Sequence, residues 1–189
     1  MSTPVLHVVA GPNGAGKSTF VHRVLHPVTR LPFVNADEIA TARWPGETEA
    51  RAYEASAIAA RTRAELLGRR SSFITETVFS HPSKVDLVRQ GVAAGYVVTL
   101  HVVMIPVEVA VQRVDHRVGR GGHSVPPGKI RDRYGRLWPL VADARDLAGR
   151  TIFYDNSRAR DPFTTVARFE RGQPAGEAQW PRWTPPELL

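Results

Sequence analysis

The sequence of 189 residues contains no cysteine, and this absence excludes several kinds of chemistry. Disulfide bonds, thiolate metal sites and a cysteine nucleophile all need a side chain that the protein does not have. Long apolar segments are missing as well, because no stretch approaches the roughly 18 apolar residues of a membrane-spanning helix. The first residues, Met-Ser-Thr-Pro, lack the basic-then-apolar pattern of a secretion signal. We therefore expect a cytoplasmic protein without a membrane partner.

Lysine is scarce, since only Lys17, Lys84 and Lys129 occur, and the formal net charge of +7 comes almost entirely from arginine. Arginine suits a bidentate grip on phosphate groups. A basic charge also fits nucleic-acid binding, and an arginine-biased codon usage is a further explanation of the excess. The arginines are scattered, with a local concentration only at 113–136, and no aromatic-rich RNA-binding signature accompanies them. Nucleic acid is therefore not the expected partner.

Short apolar runs alternate with helix-like segments, which predicts an α/β fold with a parallel sheet covered by helices on both faces. Five strands are predicted, at 5–10, 31–36, 72–75, 96–105 and 151–154, and 163–169 is a candidate edge strand. Helices are predicted at 17–26, 47–67, 82–94, from Pro106 onwards and at about 130–144, the last kinked at Pro139. We expect a single domain over 1–189, with an irregular proline-rich tail at about 171–189.

The segment 11–18 reads Gly-Pro-Asn-Gly-Ala-Gly-Lys-Ser, a complete G-x-x-x-x-G-K-[ST] phosphate-binding loop between a predicted strand and a predicted helix. Its glycines allow a tight turn whose N–H groups point at an anion, and the helix start adds its positive dipole end. This pattern predicts binding of ATP, with Lys17 bridging the β- and γ-phosphates and Ser18 ligating Mg²⁺. The predicted nucleotide-binding residues in this segment are Gly11, Pro12, Asn13, Gly14, Ala15, Gly16, Lys17, Ser18 and Thr19.

Two carboxylates follow predicted strands that end at the same edge of the sheet as the phosphate loop. Asp37 comes after the second strand, and Glu76, followed by Thr77, comes after the third. A phosphoryl-transfer enzyme needs a base for the attacking hydroxyl and groups that hold the acceptor. We therefore predict Asp37 as the base and Asp37, Glu76 and Thr77 as acceptor-binding residues. The alternative for Asp37 is a helix N-cap, with Asn35 as a turn residue.

A glycine-rich segment with arginines before it is predicted to form a lid at about 113–130. Arg113 and Arg117 are four residues apart, and Arg120 precedes Gly-Gly-His, so a hinge could swing guanidinium groups onto the transferred phosphoryl. The alternative is a solvated basic helix, and Arg131, Arg133 and Arg136 are assigned mostly to such a solvated face. Asn156, in Tyr-Asp-Asn-Ser after the fifth strand, is predicted either to contact the nucleotide near adenine or to form a simple β-turn.

A series of motifs along residues 5 to about 157 resembles the small zeta-toxin-like family. The motifs are Gly-Pro-Asn-Gly-Ala-Gly-Lys-Ser, Asn-Ala-Asp-Glu, Glu-Thr-Val-Phe-Ser, Arg-Val-x-x-Arg-Val, Gly-Gly-His-x-Val-Pro, Ile-Arg-x-Arg-Tyr and Tyr-Asp-Asn-Ser. The first is generic, whereas the combination is specific. The resemblance implies a phosphate-loop kinase fold and a bacterial toxin–antitoxin kinase. Its expected substrates are ATP with Mg²⁺ and the 3′-hydroxyl of UDP-N-acetylglucosamine, and its expected protein partner is a cognate antitoxin.

The same resemblance implies roles for individual residues. Lys17 matches the phosphate-loop lysine, Asp37 the general base and Glu76 an acid that binds the acceptor. Two phosphate-clamping arginines are expected among Arg113, Arg117 and Arg120. The sequence departs from the larger toxins in its shorter, glycine-rich lid and its smaller size. A kinase acting on a different small metabolite is therefore an alternative.

A phosphate-loop ATPase or switch protein is the alternative from another class. The apolar run that ends at Asp37 and Glu38 can be interpreted as a Walker B motif with Glu38 activating water. Only about twenty residues separate Lys17 from Asp37, and this interpretation leaves Glu76 without a role. A GTPase is disfavoured because the sequence contains no Asn-Lys-x-Asp motif.

Overall fold

A single β-sheet forms the centre of the protein in the computed structural model, which describes residues 3–118 and 125–189. Its strands are β1 (Val5–Ala10), β2 (Phe33–Val34), β3 (Phe73–Thr77), β4 (Val97–Met104), β5 (Arg150–Asp155), β6 (Thr164–Glu170) and β7 (Gln173–Pro174). Their order across the sheet is β2-β3-β1-β4-β5-β6-β7. The first five strands in this order are parallel, and β6 and β7 are antiparallel.

The described residues form a sheet of seven strands, so the predicted number of five is wrong. The five predicted strands are all present and make up the parallel part. The candidate edge strand at 163–169 corresponds to β6, which runs back along β5. β7 has only two residues, too few for any alternation of apolar and polar side chains to be visible in the sequence.

Helices cover the sheet and connect its parallel strands. They are α1 (Lys17–Phe20), a π-helical segment (Val21–Leu25), α2 (His26–Thr29), α3 (Ala36–Arg43), α4 (Ala52–Gly68), α5 (Ser83–Ala93), α6 (Val107–Val118), α7 (Pro127–Leu147) and a short 3₁₀ helix (Pro186–Leu188). The sequence did not predict α3, because Ala40 is its only buried residue and it therefore has no apolar stripe. None of the helices among the described residues is both long and apolar enough to cross a membrane.

The alternation of side chains along the central strands divides the core into two layers. Leu6 of β1 and Val102 of β4 belong to the layer that packs against α5 and α7. Val9 of β1 and Val103 of β4 belong to the opposite layer, which packs against α1, the π-helical segment and α6. Because successive side chains of a strand point to opposite faces, a nearly continuous apolar run fills both layers. The prediction of helices on both faces is therefore confirmed.

Three polar side chains form a chain of contacts across the core side of three strands. His7 Nδ1 of β1 lies 3.0 Å from His101 Nε2 of β4. His101 Nδ1 lies 3.1 Å from the hydroxyl of Tyr154 of β5. The ring of Phe20 packs on His101 and Tyr154, with centroid distances of 5.5 and 4.7 Å. Burial lowers the pKa of His101 to about 3, so this histidine is neutral near pH 7.

The proline-rich tail packs against the end of the sheet. The ring of Trp180 lies 5.1 Å from that of Phe153 of β5, and Leu188 is buried. Arg145 of α7 donates a hydrogen bond to the carbonyl oxygen of Leu188 at 3.4 Å. Apart from β7 and the 3₁₀ helix the tail has no regular structure, and its apolar side chains complete the core cluster beside β5 and β6.

Candidate active site

The phosphate loop lies between the end of β1 and the start of α1. Gly14 and Gly16 have φ angles of 74° and 87°, a backbone conformation that L side chains rarely adopt. A Cβ atom on Gly11 would overlap the carbonyl oxygen of Val103, so the loop also passes too close to β4 for a side chain there. These glycines are therefore required by the geometry of the turn.

Lys17 is buried at the first turn of the helix after the loop. Its Nζ atom donates a hydrogen bond to the carbonyl oxygen of Pro12 at 3.1 Å, so the side chain bends back along the loop. Burial lowers the pKa of Lys17, and the charges of Glu76 and Asp37 oppose this shift. A polyphosphate beside Lys17 would favour its charged form for the same reason. The loop is thus suited to a highly charged anion.

Ser18 and Glu76 are in direct contact at the floor of the site. The hydroxyl of Ser18 donates to Oε2 of Glu76 at 2.7 Å, and the chain topology accounts for this contact because β3 lies next to β1 in the sheet. Burial raises the pKa of Glu76, while Lys17 and the hydrogen bond from Ser18 oppose the shift. The described residues contain no cluster of three or more histidine or acidic side chains that could hold a metal. A hydroxyl, a carboxylate and phosphate oxygens are nevertheless suitable ligands for Mg²⁺, so these residues fit that ion.

Asp37 lies in the first turn of α3, where its side chain lines the cleft above the loop. The N-cap of α3 is Asn35, whose Oδ1 accepts a hydrogen bond from the backbone N–H of Asp37 at 2.8 Å. The interpretation of Asp37 as the cap is therefore wrong. A capping residue has an extended backbone just before the helix, and that is the conformation of Asn35. The carboxylate of Asp37 is left to face the cleft.

Glu38 does not point to the phosphate loop. Its carboxylate lies 2.7 Å from Nε2 of His22, and both side chains are exposed. β2, which precedes Glu38, is at the edge of the sheet and is separated from β1 by β3. The carboxylate beside the loop accordingly comes from β3, as Glu76, and this arrangement does not favour the Walker B interpretation of Glu38.

Arg113 and Asn156 brace the phosphate loop from the side of α6 and β5. Arg113 Nη2 donates to the carbonyl oxygen of Asn156 at 2.8 Å, and its Nη1 lies 3.5 Å from that of Gly14. The side-chain amide of Asn156 donates to the carbonyl oxygen of Ala15 at 2.8 Å. The amide of Asn156 thus holds the backbone of the loop, and Arg113 holds the backbone of Asn156. Arg120, the third predicted lid arginine, lies outside the described residues, as does the segment 119–124.

Two other arginines face the buried lysine. Arg117 of α6 and Arg133 of α7 both line the cleft, and the charge of each lowers the pKa of Lys17. The assignment of Arg133 to a solvated face is therefore wrong. Arg131 is exposed, in keeping with the same assignment, and pairs with the exposed Glu108. The sequence does contain a pattern that could have predicted the position of Arg133. It lies three residues after the buried Ile130, and therefore close to the apolar stripe of α7.

The cleft has a volume of about 810 Å³ and extends well beyond the phosphate loop. One wall is α4, which contributes Ala52, Ser56 and Arg63, and another is the segment that connects β3 to α5. Thr77 lines this part, and its hydroxyl accepts a hydrogen bond from the backbone N–H of Phe79 at 3.2 Å. Thr77 is apparent from the sequence because it directly follows Glu76, whereas the alanine-rich pattern of α4 contains no motif that points to its cleft residues.

The chain matches a protein-family model described as an AAA domain. It matches residues 6–136, which is more than half of the chain and includes every described site residue before Asn156. No curated protein sequence matches the chain.

Solved structures resemble the chain at low sequence identity. A crystal structure of AvrRxo1-ORF1:-ORF2 with ATP has a TM-score of 0.69 and 16% identity, and the match covers 92% of this chain. The chain spans only 60% of the length of that protein. The PezAT chromosomal toxin–antitoxin system of Streptococcus pneumoniae gives a TM-score of 0.64 and 14% identity, covering 89% of this chain and 72% of that one.

A metabolic kinase has the same architecture. A gluconokinase from Sinorhizobium meliloti 1021 gives a TM-score of 0.52 and 20% identity over 84% of this chain and 86% of that one. At these identities the likeness shows the fold, and the predicted α/β phosphate-loop kinase fold is confirmed.

Proposed function

Because this chain belongs to the AAA-domain family, we propose that it is an ATP- and Mg²⁺-dependent kinase that phosphorylates a hydroxyl group of a small molecule. The proposal combines the complete phosphate loop with the fold that the chain has in common with small-molecule kinases. A fold alone does not determine a function, so the argument depends on the site itself.

The observation that carries the proposal is the arrangement of Lys17, Ser18, Glu76 and Asp37 around one cleft. The hydrogen bond of 2.7 Å between Ser18 and Glu76 supports the proposal, because it brings together the hydroxyl and the carboxylate that would face the phosphates and Mg²⁺. Asp37 lines the same cleft, and its charge acts on Lys17. A carboxylate that faces the phosphate end of a large cleft is what transfer to a hydroxyl acceptor requires.

In the proposed reaction, Lys17 holds the β- and γ-phosphates and Asp37 accepts the proton of the acceptor hydroxyl. The acceptor oxygen forms a bond to the γ-phosphorus as the bond to the β–γ bridging oxygen breaks, and ADP leaves. Arg117 and Arg133 stabilise the charge that develops on the transferred group. Mg²⁺, when bound by Ser18 and the phosphate oxygens, supplies further charge neutralisation. Arg113 and Asn156 keep the loop in the conformation that binds the nucleotide.

The acceptor that we propose is a nucleotide-sugar such as UDP-N-acetylglucosamine, and the biological role is that of the toxin in a toxin–antitoxin pair. The motif series supports this proposal, as does the similarity to PezAT, a toxin–antitoxin system. The cleft of about 810 Å³ is large enough for an acceptor of this size. A cognate antitoxin protein is the corresponding partner, and the cytoplasm the corresponding location.

The test is to incubate the protein with γ-labelled ATP, Mg²⁺ and a metabolite extract, and to identify labelled products by mass spectrometry. UDP-N-acetylglucosamine, gluconate and shikimate are the defined acceptors to compare. We expect label on the nucleotide-sugar and slow hydrolysis of ATP without an acceptor. If another hydroxyl compound is labelled, the proposed substrate is wrong but the proposed kinase activity holds. If ATP is turned over equally well without an acceptor, the protein is an ATPase.

A further inference from the structure

Two cations in the wall of the cleft have no role in the proposed reaction. Arg63 lies near the end of α4, Lys84 lies in the first turn of α5, and both half-buried side chains line the cleft. Within residues 3–118 and 125–189, neither makes an ion pair with a carboxylate. An arginine and a lysine therefore line the same cleft, and no carboxylate of the described residues forms an ion pair with either of them.

This arrangement is unfavourable unless an anion joins it. Burial lowers the pKa of Arg63 and of Lys84, and the charge of Arg63 lowers that of Lys84 further. Cations that are partly removed from water and close to each other need hydrogen-bonding anionic partners. Both side chains also line the cleft, so an anion bound there could supply the missing partner.

The two cations belong to a different part of the cleft from the phosphate loop. The charges that perturb Lys17 are those of Glu76, Asp37, Arg117 and Arg133, and neither Arg63 nor Lys84 is among them. The phosphates of the nucleotide consequently have their own cations at the loop. An anion between Arg63 and Lys84 belongs to the other substrate.

The surface of α4 leaves room for such a ligand. Ala52, Ser56, Ala59 and Arg63 follow one another at intervals of four, three and four residues, so they share one face of the helix, and all four line the cleft. The first three side chains are small. A ligand can therefore lie along this face and end at the guanidinium group.

We propose that Arg63 and Lys84 bind a phosphate or diphosphate group at the non-reacting end of the acceptor. This inference rests on the proposed kinase function, and it adds which side chains of the cleft wall hold the phosphate groups of the acceptor. The planar guanidinium binds two phosphate oxygens at once, and the ammonium group contacts a third as a point charge. Asp37 then receives the hydroxyl at the opposite end of the same molecule.

The experiment measures anion binding to the protein whose phosphate loop is already filled with Mg²⁺ and a non-hydrolysable ATP analogue. Calorimetry with inorganic pyrophosphate tests the site without any assumption about the acceptor. We expect binding of one pyrophosphate, weakened at least about tenfold in Arg63→Gln and in Lys84→Gln. Arg61→Gln is the matched control, because Arg61 is an exposed cation on the same helix. All three variants should bind the ATP analogue within about twofold of the wild type, since none touches the loop.

Further ligands separate the sources of the anion. The affinity for phosphate-containing ligands should fall in the Arg63 and Lys84 variants; these ligands are inorganic phosphate, N-acetylglucosamine 1-phosphate and UDP-N-acetylglucosamine. The affinity for neutral N-acetylglucosamine should stay the same. In transfer assays the two variants should raise KM for a phosphorylated acceptor and leave kcat nearly unchanged, and Arg63→Lys should restore part of the loss. Their melting temperatures should equal or exceed that of the wild type, because one of two repelling cations is gone.

The inference is overturned if the loaded protein binds no pyrophosphate, or if Arg63→Gln and Lys84→Gln bind it as the wild type and Arg61→Gln do. A lower melting temperature in both Arg63→Gln and Lys84→Gln would also overturn it, because the two side chains would then stabilise the fold of the cleft wall. The kinase proposal fails in a different way, through the absence of labelled product with every acceptor. Pyrophosphate binding does not depend on phosphoryl transfer, so the two failures are distinguishable.

Discussion

The two ends of the cleft differ in how their polar groups are partnered. At the phosphate-loop end, Lys17 donates to the carbonyl oxygen of Pro12 and Ser18 donates to Glu76. Asn156 donates to the carbonyl oxygen of Ala15 in the loop, and Arg113 donates to that of Asn156. At the end formed by α4 and α5, Arg63 and Lys84 have no carboxylate partner among the described residues. The first end is organised by the protein itself, and the second is organised for a molecule that it binds.

This difference indicates where affinity and where specificity arise. Because the loop is already ordered by its own hydrogen bonds, binding of the nucleotide costs little conformational free energy. This suits a nucleotide substrate that phosphate-loop kinases have in common. An acceptor without an anionic group should bind weakly at the other end, because it leaves Arg63 and Lys84 desolvated without an anionic partner. We therefore expect substitutions at the loop end to act on the chemical step and those at the far end to act on the choice of acceptor.

The largest effect is expected for Lys17→Ala. The substitution removes the cation at the γ-phosphate and should lower the rate of transfer by about 10³-fold or more, which corresponds to several kcal/mol of transition-state stabilisation. The fold should persist, because the hydrogen bond that Nζ makes among the described residues goes to Pro12, within the loop itself. Transfer assays and circular dichroism check both statements. Near-normal turnover in a folded variant would remove the basis for the phosphate-loop assignment.

Asp37→Asn should lower kcat by about 10²-fold or more while the affinity for ATP stays within a few-fold. The melting temperature should change little, since Asn35 caps α3 and Asp37 contributes only its N–H to that cap. Asn35→Ala is the comparison: it should cost about 1 kcal/mol of stability through the lost cap. If Asp37→Asn loses stability and keeps its activity per folded molecule, the base is another residue.

The arginines of α6 and α7 should separate into two groups. Arg117→Ala and Arg133→Ala should each lower kcat about tenfold or more with little change in melting temperature, because both side chains line the cleft. Arg113→Ala should instead lower ATP affinity and stability, since it breaks the contacts with Asn156 and Gly14. Arg131→Ala, which removes an exposed ion pair, should leave both the activity and the melting temperature nearly unchanged. If Arg117→Ala and Arg133→Ala both keep the wild-type kcat, the two arginines belong to a solvated basic face and have no role in the reaction.

The smallest effect concerns Glu76 and depends on pH. Because burial raises the pKa of Glu76 in the folded protein, its contribution to stability is present below the usual value of 4.5 and is lost as the pH rises through the folded pKa. Glu76→Gln does not ionise, so its melting temperature relative to the wild type should increase from pH 4.5 to pH 7. Thermal unfolding of the nucleotide-free proteins at several pH values measures this. A constant difference across that range would contradict the raised pKa.

The sequence was sufficient for those parts of the protein that follow from local patterns. The phosphate loop, the five parallel strands and the direction of Asp37 and Glu76 towards one edge come from short motifs and apolar runs. Asn35 as the cap of α3 could not be separated from Asp37, because both residue types cap helices well and α3 has no apolar stripe. The positions of Arg63 and Lys84 depend on how α4 and α5 pack, about twenty residues apart in sequence, and no local pattern contains that information.

The contacts between His7, His101 and Tyr154 have a consequence for the alignment of the strands. His7 pairs with Thr99 in the ladder and Tyr154 with Val103, so each contact of His101 is made to a diagonal neighbour on the same face of the sheet. A shift of β1 or β5 by one residue would turn the partner to the other face, and the buried ring nitrogen of His101 would lose its hydrogen bond. β1 carries the phosphate loop at its end, and β5 carries Asn156. Two histidines and a tyrosine thus fix the register that sets the amide of Asn156 level with Ala15 of the phosphate loop.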